Sequence, residues 1–201
     1  MRAAATVSTP DGRQFREFVL VFQNDVNLRF SDGTAVPNTA EAEDPEDSAQ
    51  KGINYRTEPM WARMNFAPQT DLETTRTFDF TNALSNGQVG GDPVTPVFTA
   101  RAGTPVRFRV VHPSGKQRNN VFTVHGHGWQ RSPYVNNSTA IGSNPLSEWT
   151  SAEMGIGPSN HLDAPIAKAG GAFMLPGDYL YRTFQSFQFD GGIWGLLRVT
   201  Q

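Results

Sequence analysis

The apolar residues of this chain occur in short runs with a period of two, and this pattern constrains the fold more than any other feature. In residues 16–23, Phe18, Leu20 and Phe22 share one face of a predicted strand. The chain also has 19 glycines and 14 prolines, which favour turns over long helices. The sequence therefore predicts an all-β fold.

Later runs extend this prediction along the chain. Residues 98–111 predict two strands around a turn, and residues 120–129 predict another strand. The C-terminal runs have the spacing of the last three strands of a Greek-key sandwich. Because no repeat or composition break is visible, we expect a single domain over 1–201, with an N-terminal strand and irregular segment over 1–70 and the main sandwich over 71–201.

The region from Asn24 to Gly52 is predicted to be a long solvated loop. Its composition shifts to Ser, Asp, Gly and Pro, which are turn-forming residues. Residues 41–47 form the acidic run EAEDPED, whose like charges cannot be buried together. We therefore expect a long N-terminal loop excursion outside the sandwich.

Charge and composition exclude several classes of function. The 17 Lys and Arg residues against 19 Asp and Glu residues give a formal net charge of −2, so no basic field attracts nucleic acid. No apolar run approaches the roughly 20 residues of a membrane span, and the N-terminus lacks the apolar stretch of a signal peptide. Since cysteine is absent, any metal must be bound by the four histidines and the carboxylates.

His125 and His127 are the strongest candidates for a metal site. They are separated by one residue on the strand predicted over 120–129, so both imidazoles should point to the same side. A zinc or copper site usually needs a third protein ligand, and His112 and His161 lie in separate predicted loops. The alternative is that both histidines are structural and are satisfied by hydrogen bonds to the backbone.

FTVHGHGW at 122–129 resembles a signature motif of the multicopper oxidases. In that family an H-P-x-H-x-H-G-H strand supplies one type 1 copper ligand and two ligands of the trinuclear cluster. On this sequence Asn120 stands at the type 1 position and Thr123 at the first cluster position, which leaves only His125 as a ligand. A second alignment also stays open. If the strand is matched to the H-x-H-G motif of the family's N-terminal domains, both His125 and His127 would be cluster ligands.

GDYLYRTFQSFQFDGGIWGLLRV at 177–199 resembles the second signature of the same family, H-C-H-x-x-x-H-x-x-x-G-M/L. All four ligand positions of that signature hold other residues here: Thr183, Phe184, Gln185 and Phe189. The glycine bend and the closing strand from Trp194 remain. REFVLVFQN and INYRTEPMW also resemble the opening of cupredoxin domains in large bacterial multicopper oxidases of the manganese-oxidising type, so the resemblance covers most of the chain.

The resemblance implies a cupredoxin-like Greek-key β-sandwich and a role in a larger assembly. The first interpretation is a domain or subunit of a multicopper-oxidase-like assembly that lacks its own type 1 copper. It would at most share ligands to a copper cluster, His125 and His127, with a partner cupredoxin domain or subunit. Such a chain would be part of an oxidoreductase, inactive alone, oligomeric, and periplasmic or extracellular.

Two further interpretations stay open from the sequence. One is a metal-free structural or binding module that kept the cupredoxin fold, with Arg107, Arg109 and residues 53–66 as its contact surface. The other is a self-contained metal enzyme that adds a third histidine to the pair. If His125 and His127 only bind metal, replacing both with alanine should remove the metal and leave the thermal midpoint nearly unchanged.

Overall fold

The alternating apolar runs form β-strands, as the sequence predicts. The computed structural model describes residues 3–37, 50–68, 84, 91–113, 118–131 and 144–201. In chain order, the strands are β1 (Ala4–Ser8), β2 (Gln14–Val26), β3 (Gln50–Ile53), β4 (Val97–Arg101), β5 (Val106–His112), β6 (Asn120–Val124), β7 (Trp129–Gln130), β8 (Trp149–Thr150), β9 (Ala152–Ile156), β10 (Asn160–Ile166), β11 (Gly177–Thr183) and β12 (Trp194–Thr200).

These strands form two five-stranded sheets and a short two-stranded ribbon. The first sheet has the order β1-β2-β5-β10, and β3 pairs with the end of β2. The second sheet has the order β4-β12-β11-β6-β9, and β7 pairs with β8. Two pairs, β2 with β5 and β4 with β12, are parallel, and the other pairs are antiparallel. The predicted cupredoxin-like Greek-key β-sandwich is confirmed.

Aromatic side chains from both sheets fill the space between them. Phe18 of the first sheet stacks on Phe98 of the second, with ring centroids 4.5 Å apart. Phe108 contacts Phe122 and Tyr181 across the sandwich, at 5.6 and 5.8 Å between centroids. All five rings are buried, and such pairs contribute beyond the area that they bury. This core fixes the relative position of the two sheets.

The N-terminal part of the chain belongs to the sandwich itself. β2 pairs with β1 on one side and with β5 on the other, so the sandwich does not begin after residue 71. β2 continues to Val26, and its pairing with β3 buries Asn24 and Lys51, so the predicted loop between Asn24 and Gly52 is shorter at both ends. The acidic run 41–47 lies outside the described residues.

A second, smaller apolar cluster covers the outer face of the second sheet. It contains Met60, Leu180, Phe189 and Trp194, which we call the outer cluster. The helices α1 (Met60–Arg63) and α2 (Ser186–Asp190) contribute to it, so the segment predicted to be irregular contains a helical turn. No helix within the described ranges has the length and apolar character needed to cross a membrane.

The outer face of the first sheet is different, because its charges are paired. Arg107 forms an ion pair with Glu17, and Arg109 lies 3.4 Å from carboxylate oxygens of both Glu17 and Asp163. The arginines that the sequence suggested as a contact surface are therefore engaged within the chain.

Candidate functional site

The two candidate metal ligands lie where β6 ends and the chain turns. The His125 N–H donates to the Leu180 carbonyl at 2.9 Å, but His127 is already in a turn, with its N–H donating to the Val124 carbonyl at 3.1 Å. Between them, Gly126 has a φ of 72°, and a Cβ there would lie 3.1 Å from the Tyr179 ring. The prediction that both imidazoles share one face of a strand is wrong, because this glycine ends the period of two.

The His127 ring is buried and hydrogen bonded at both nitrogens. Nδ1 lies 2.8 Å from the His125 carbonyl oxygen, and the Gly170 N–H donates to Nε2 at 2.9 Å. Because a carbonyl can only accept and an N–H can only donate, these partners assign the neutral tautomer that is protonated at Nδ1. Burial lowers the pKa of His127, and its hydrogen bond to the His125 carbonyl opposes this. No ring lone pair is left for a metal ion.

His125 is exposed, and a positive charge lies near it. Partial desolvation of the ring lowers the pKa of His125, and the Arg182 guanidinium lowers it further. The same charge that disfavours a proton on this imidazole also disfavours a metal cation.

The other two histidines lie at the opposite end of the sandwich. His112 pairs with Asn160 and His161 pairs with Val111, at the start of β10. His127 lies near Ile166 at the end of the same strand, and seven strand residues span about 20 Å. The fold therefore does not bring a third histidine to the pair.

The His112 end of the sandwich holds a buried polar cluster. The His112 Nε2 lies 3.1 Å from the Asn24 side-chain nitrogen, and both residues are buried. Burial lowers the pKa of His112, and the Gly157 carbonyl opposes this effect. A neutral ring can accept from Asn24 at Nε2, but this arrangement leaves the Asn24 side-chain oxygen buried without a hydrogen-bond partner in the described part of the chain.

Two of the positions that hold copper ligands in the resembled family, Asn120 and Thr183, carry hydrogen-bonded neutral side chains here. The Asn120 amide donates to the Ile156 carbonyl at 3.3 Å. The Thr183 hydroxyl donates to the Gln188 side-chain oxygen at 2.6 Å, and both residues are buried. Within the described ranges, no three His, Cys, Asp or Glu side chains group as a metal site. Metal ligation by His125 and His127 stays a prediction, and these residues do not fit a copper site.

The hydrogen bond from Gly170 to His127 instead positions an exposed apolar loop, residues 170–176. Phe173 is 83% exposed, and Met174 and Leu175 are also exposed. Backbone hydrogen bonds from Met174 to Gly171 and from Leu175 to Gly170 close the loop. The loop therefore presents three apolar side chains from a fixed backbone.

A cleft lies beside this apolar loop. Its walls come from Trp149 of β8, from Ile166 and Ala167, from Ala172 of the loop, and from the His127 turn. Trp149 is 67% exposed. The sequence analysis missed this surface, although the run AFML between glycines and a proline was a signal for an exposed apolar turn.

Comparison with known proteins finds similarity of structure only. No protein-family model matches the sequence, and no curated protein matches it significantly. The fold is similar to a multicopper oxidase from Campylobacter jejuni, described as a metallo-oxidase, with 12% identity over 75% of this chain and 23% of that chain, at a TM-score of 0.45. The fold is also similar to the multicopper oxidase mgLAC, with 10% identity over 91% of this chain and 43% of that chain, at a TM-score of 0.49.

A copper-containing nitrite reductase from Thermus scotoductus is also similar, with 12% identity over 92% of this chain and 30% of that chain, at a TM-score of 0.44. The likeness is one of fold. The chain spans less than half the length of each of these three structures.

Proposed function

We propose that this chain is a metal-free interaction module with a cupredoxin-like fold, which docks a second β-sandwich subunit through the apolar loop and the adjacent cleft. The observation that supports this function best is the hydrogen bond from the Gly170 N–H to the His127 Nε2. It occupies a nitrogen that could otherwise bind a metal, and it holds the backbone of the exposed apolar loop. Contiguous exposed apolar residues on a folded protein are typical of interaction sites.

The backbone of the apolar loop is held at several points. The Tyr179 hydroxyl donates to the Leu175 carbonyl at 2.8 Å, and the Gly103 N–H donates to the Ala169 carbonyl at 2.9 Å. Gly170 has a φ of 85°, and a Cβ there would lie 2.5 Å from the Leu175 carbonyl oxygen. A loop fixed in this way loses little conformational entropy on binding, which favours association.

The partner that we propose is a second copy of this chain. The apolar loop and the cleft lie side by side, so a two-fold axis would let each copy place its Phe173 and Leu175 in the cleft of the other. Phe173 and Trp149 supply the large aromatic contacts that dominate interface energies. We place the assembly in the periplasm or outside the cell, as the resemblance in sequence implies.

The association is tested with the variant Phe173→Asp/Leu175→Asp. Sedimentation equilibrium of the purified wild-type chain should show a dimer. The double variant should dissociate at least about 100-fold more readily, because it removes from the proposed interface two apolar side chains per copy. Tyr55→Asp is the matched control, since Tyr55 is equally exposed but is not part of the cleft. A wild-type chain that stays monomeric at every concentration reached would contradict the proposal.

Copper binding separates this proposal from the shared-cluster interpretation. We expect the purified protein to bind no copper stoichiometrically, because His127 has no free lone pair and His125 lies near Arg182. Metal analysis after exposure to copper and gel filtration provides the measurement. One copper ion per chain that is lost in His125→Ala would favour a copper site shared between subunits instead.

A further inference from the structure

Arg182 occupies an unusual place on the outer face of the second sheet. The ring of its neighbour Tyr181 lies in the core between the sheets, so Arg182 points to the opposite face. Its guanidinium carbon lies 5.0 Å from the ring centroid of Phe184 and 4.7 Å from that of Phe189. These two rings contact the guanidinium through cation–π interactions and hold it in position.

The guanidinium of Arg182 has donors but no acceptors. Among the described residues its Nε is buried without a hydrogen-bond partner, and the side chain as a whole is half-buried. Desolvation lowers the pKa of Arg182, while the nearby charge of Asp190 raises it. Because a guanidinium donor left unpaired in a desolvated position is costly, the buried Nε favours an acceptor at this group. An external acceptor that pairs with the guanidinium would lower this cost.

His125 provides a second donor next to this group. Its backbone N–H bonds to Leu180, which is two residues before Arg182 on the neighbouring strand. The His125 imidazole is exposed and forms no hydrogen bond within the described part of the chain. Phe184 is 54% exposed, so an apolar surface lies next to these two donors.

We propose that Arg182 and His125 form a binding site for a carboxylate attached to an apolar group. The planar fork of the guanidinium matches the two oxygens of a carboxylate, and stacked arginines retain this geometry. The exposed ring of Phe184 then packs against the apolar part of the ligand. This site is separate from the apolar loop and does not depend on the proposed dimer.

Benzoate is the probe for this site, and benzamide, which has the same shape without the charge, is its control. In the ¹H–¹⁵N spectrum of the folded wild-type chain, the Arg182 Nε–H signal should shift saturably with benzoate and not with benzamide or with chloride at equal ionic strength. An Arg182 signal that does not respond to benzoate, or that responds equally to benzamide, would overturn the proposal.

Variants assign the shift to individual donors. Calorimetry measures benzoate binding to each variant. Arg182→Gln should weaken this binding by about tenfold or more, and His125→Ala should weaken it by about threefold. Arg182→Lys keeps the charge but loses the fork, so it should also bind weakly. Arg131→Gln is the matched control, because Arg131 is half-exposed and already lies near Glu148. Full affinity in both Arg182 variants would contradict the assignment.

A second ligand tests whether the natural carboxylate comes from a protein partner or from a small organic acid. A short blocked peptide that carries a glutamate beside a phenylalanine presents the same chemistry from a protein partner. If the peptide binds at Arg182 more tightly than benzoate, the site takes a protein carboxylate; if only benzoate binds, the site takes a small organic acid. Failure of both ligands would overturn the proposal.

Discussion

Replacing Trp194 with alanine should lower the free energy of unfolding by about 3–5 kcal/mol. The ring is fully buried in the outer cluster, and its Nε1–H donates to the Glu58 carbonyl at 2.8 Å. The variant would leave a cavity against Met60 and Phe189 and would remove the hydrogen bond to the Glu58 carbonyl. Urea denaturation monitored by far-UV circular dichroism measures the change.

Trp149→Ala is the matched control, because that ring is exposed and contributes little to the folded state of a single chain. We expect it to change the free energy of unfolding by less than about 0.5 kcal/mol. A loss below about 1 kcal/mol for Trp194→Ala would show that the outer cluster is not a packed core.

Replacing His127 with alanine should lower the free energy of unfolding by about 2–4 kcal/mol. The change removes two hydrogen bonds of a buried ring, to the His125 carbonyl and from the Gly170 N–H. It also removes the edge contact of the ring with Tyr179, at 4.7 Å between centroids. This result would reverse the expectation from sequence that the histidine pair can be removed at little cost to stability.

His125→Ala is the control for that measurement, since its ring is exposed and forms no hydrogen bond in the described part of the chain. Its effect should stay within about 0.5 kcal/mol. Equal effects of the two variants would mean that the histidines do not differ in role. Backbone amide exchange should also become faster at Leu175 in His127→Ala, because Gly170 loses its partner.

Much of the fold follows from the sequence because its strands have a strict period of two. Phe18, Leu20 and Phe22 point into the core as the alternation predicts. The burial of Lys51 could not be predicted in this way, because it depends on the pairing of β3 with β2 across a long separation in sequence. Local composition at that point indicated only a solvated loop.

The candidate site shows where a local pattern stops being informative. The alternation that predicts β6 is correct up to Val124, and Gly126 then turns the chain with a positive φ. The alternating glycines of HGHG were a signal for this turn. By contrast, the role of His127 depends on Gly170, 43 residues further along the chain, so no local pattern contains it.

The imidazole nitrogens of His127 test the central claim of a metal-free interaction module most directly. Long-range ¹H–¹⁵N correlation spectra of the ¹⁵N-histidine-labelled protein report which ring nitrogen is protonated and whether zinc or copper(I) binds it. We predict a neutral His127 protonated at Nδ1, with both nitrogen signals unchanged after one equivalent of metal. A His127 protonated at Nε2, or a metal-dependent shift of its Nε2 signal, would contradict the account.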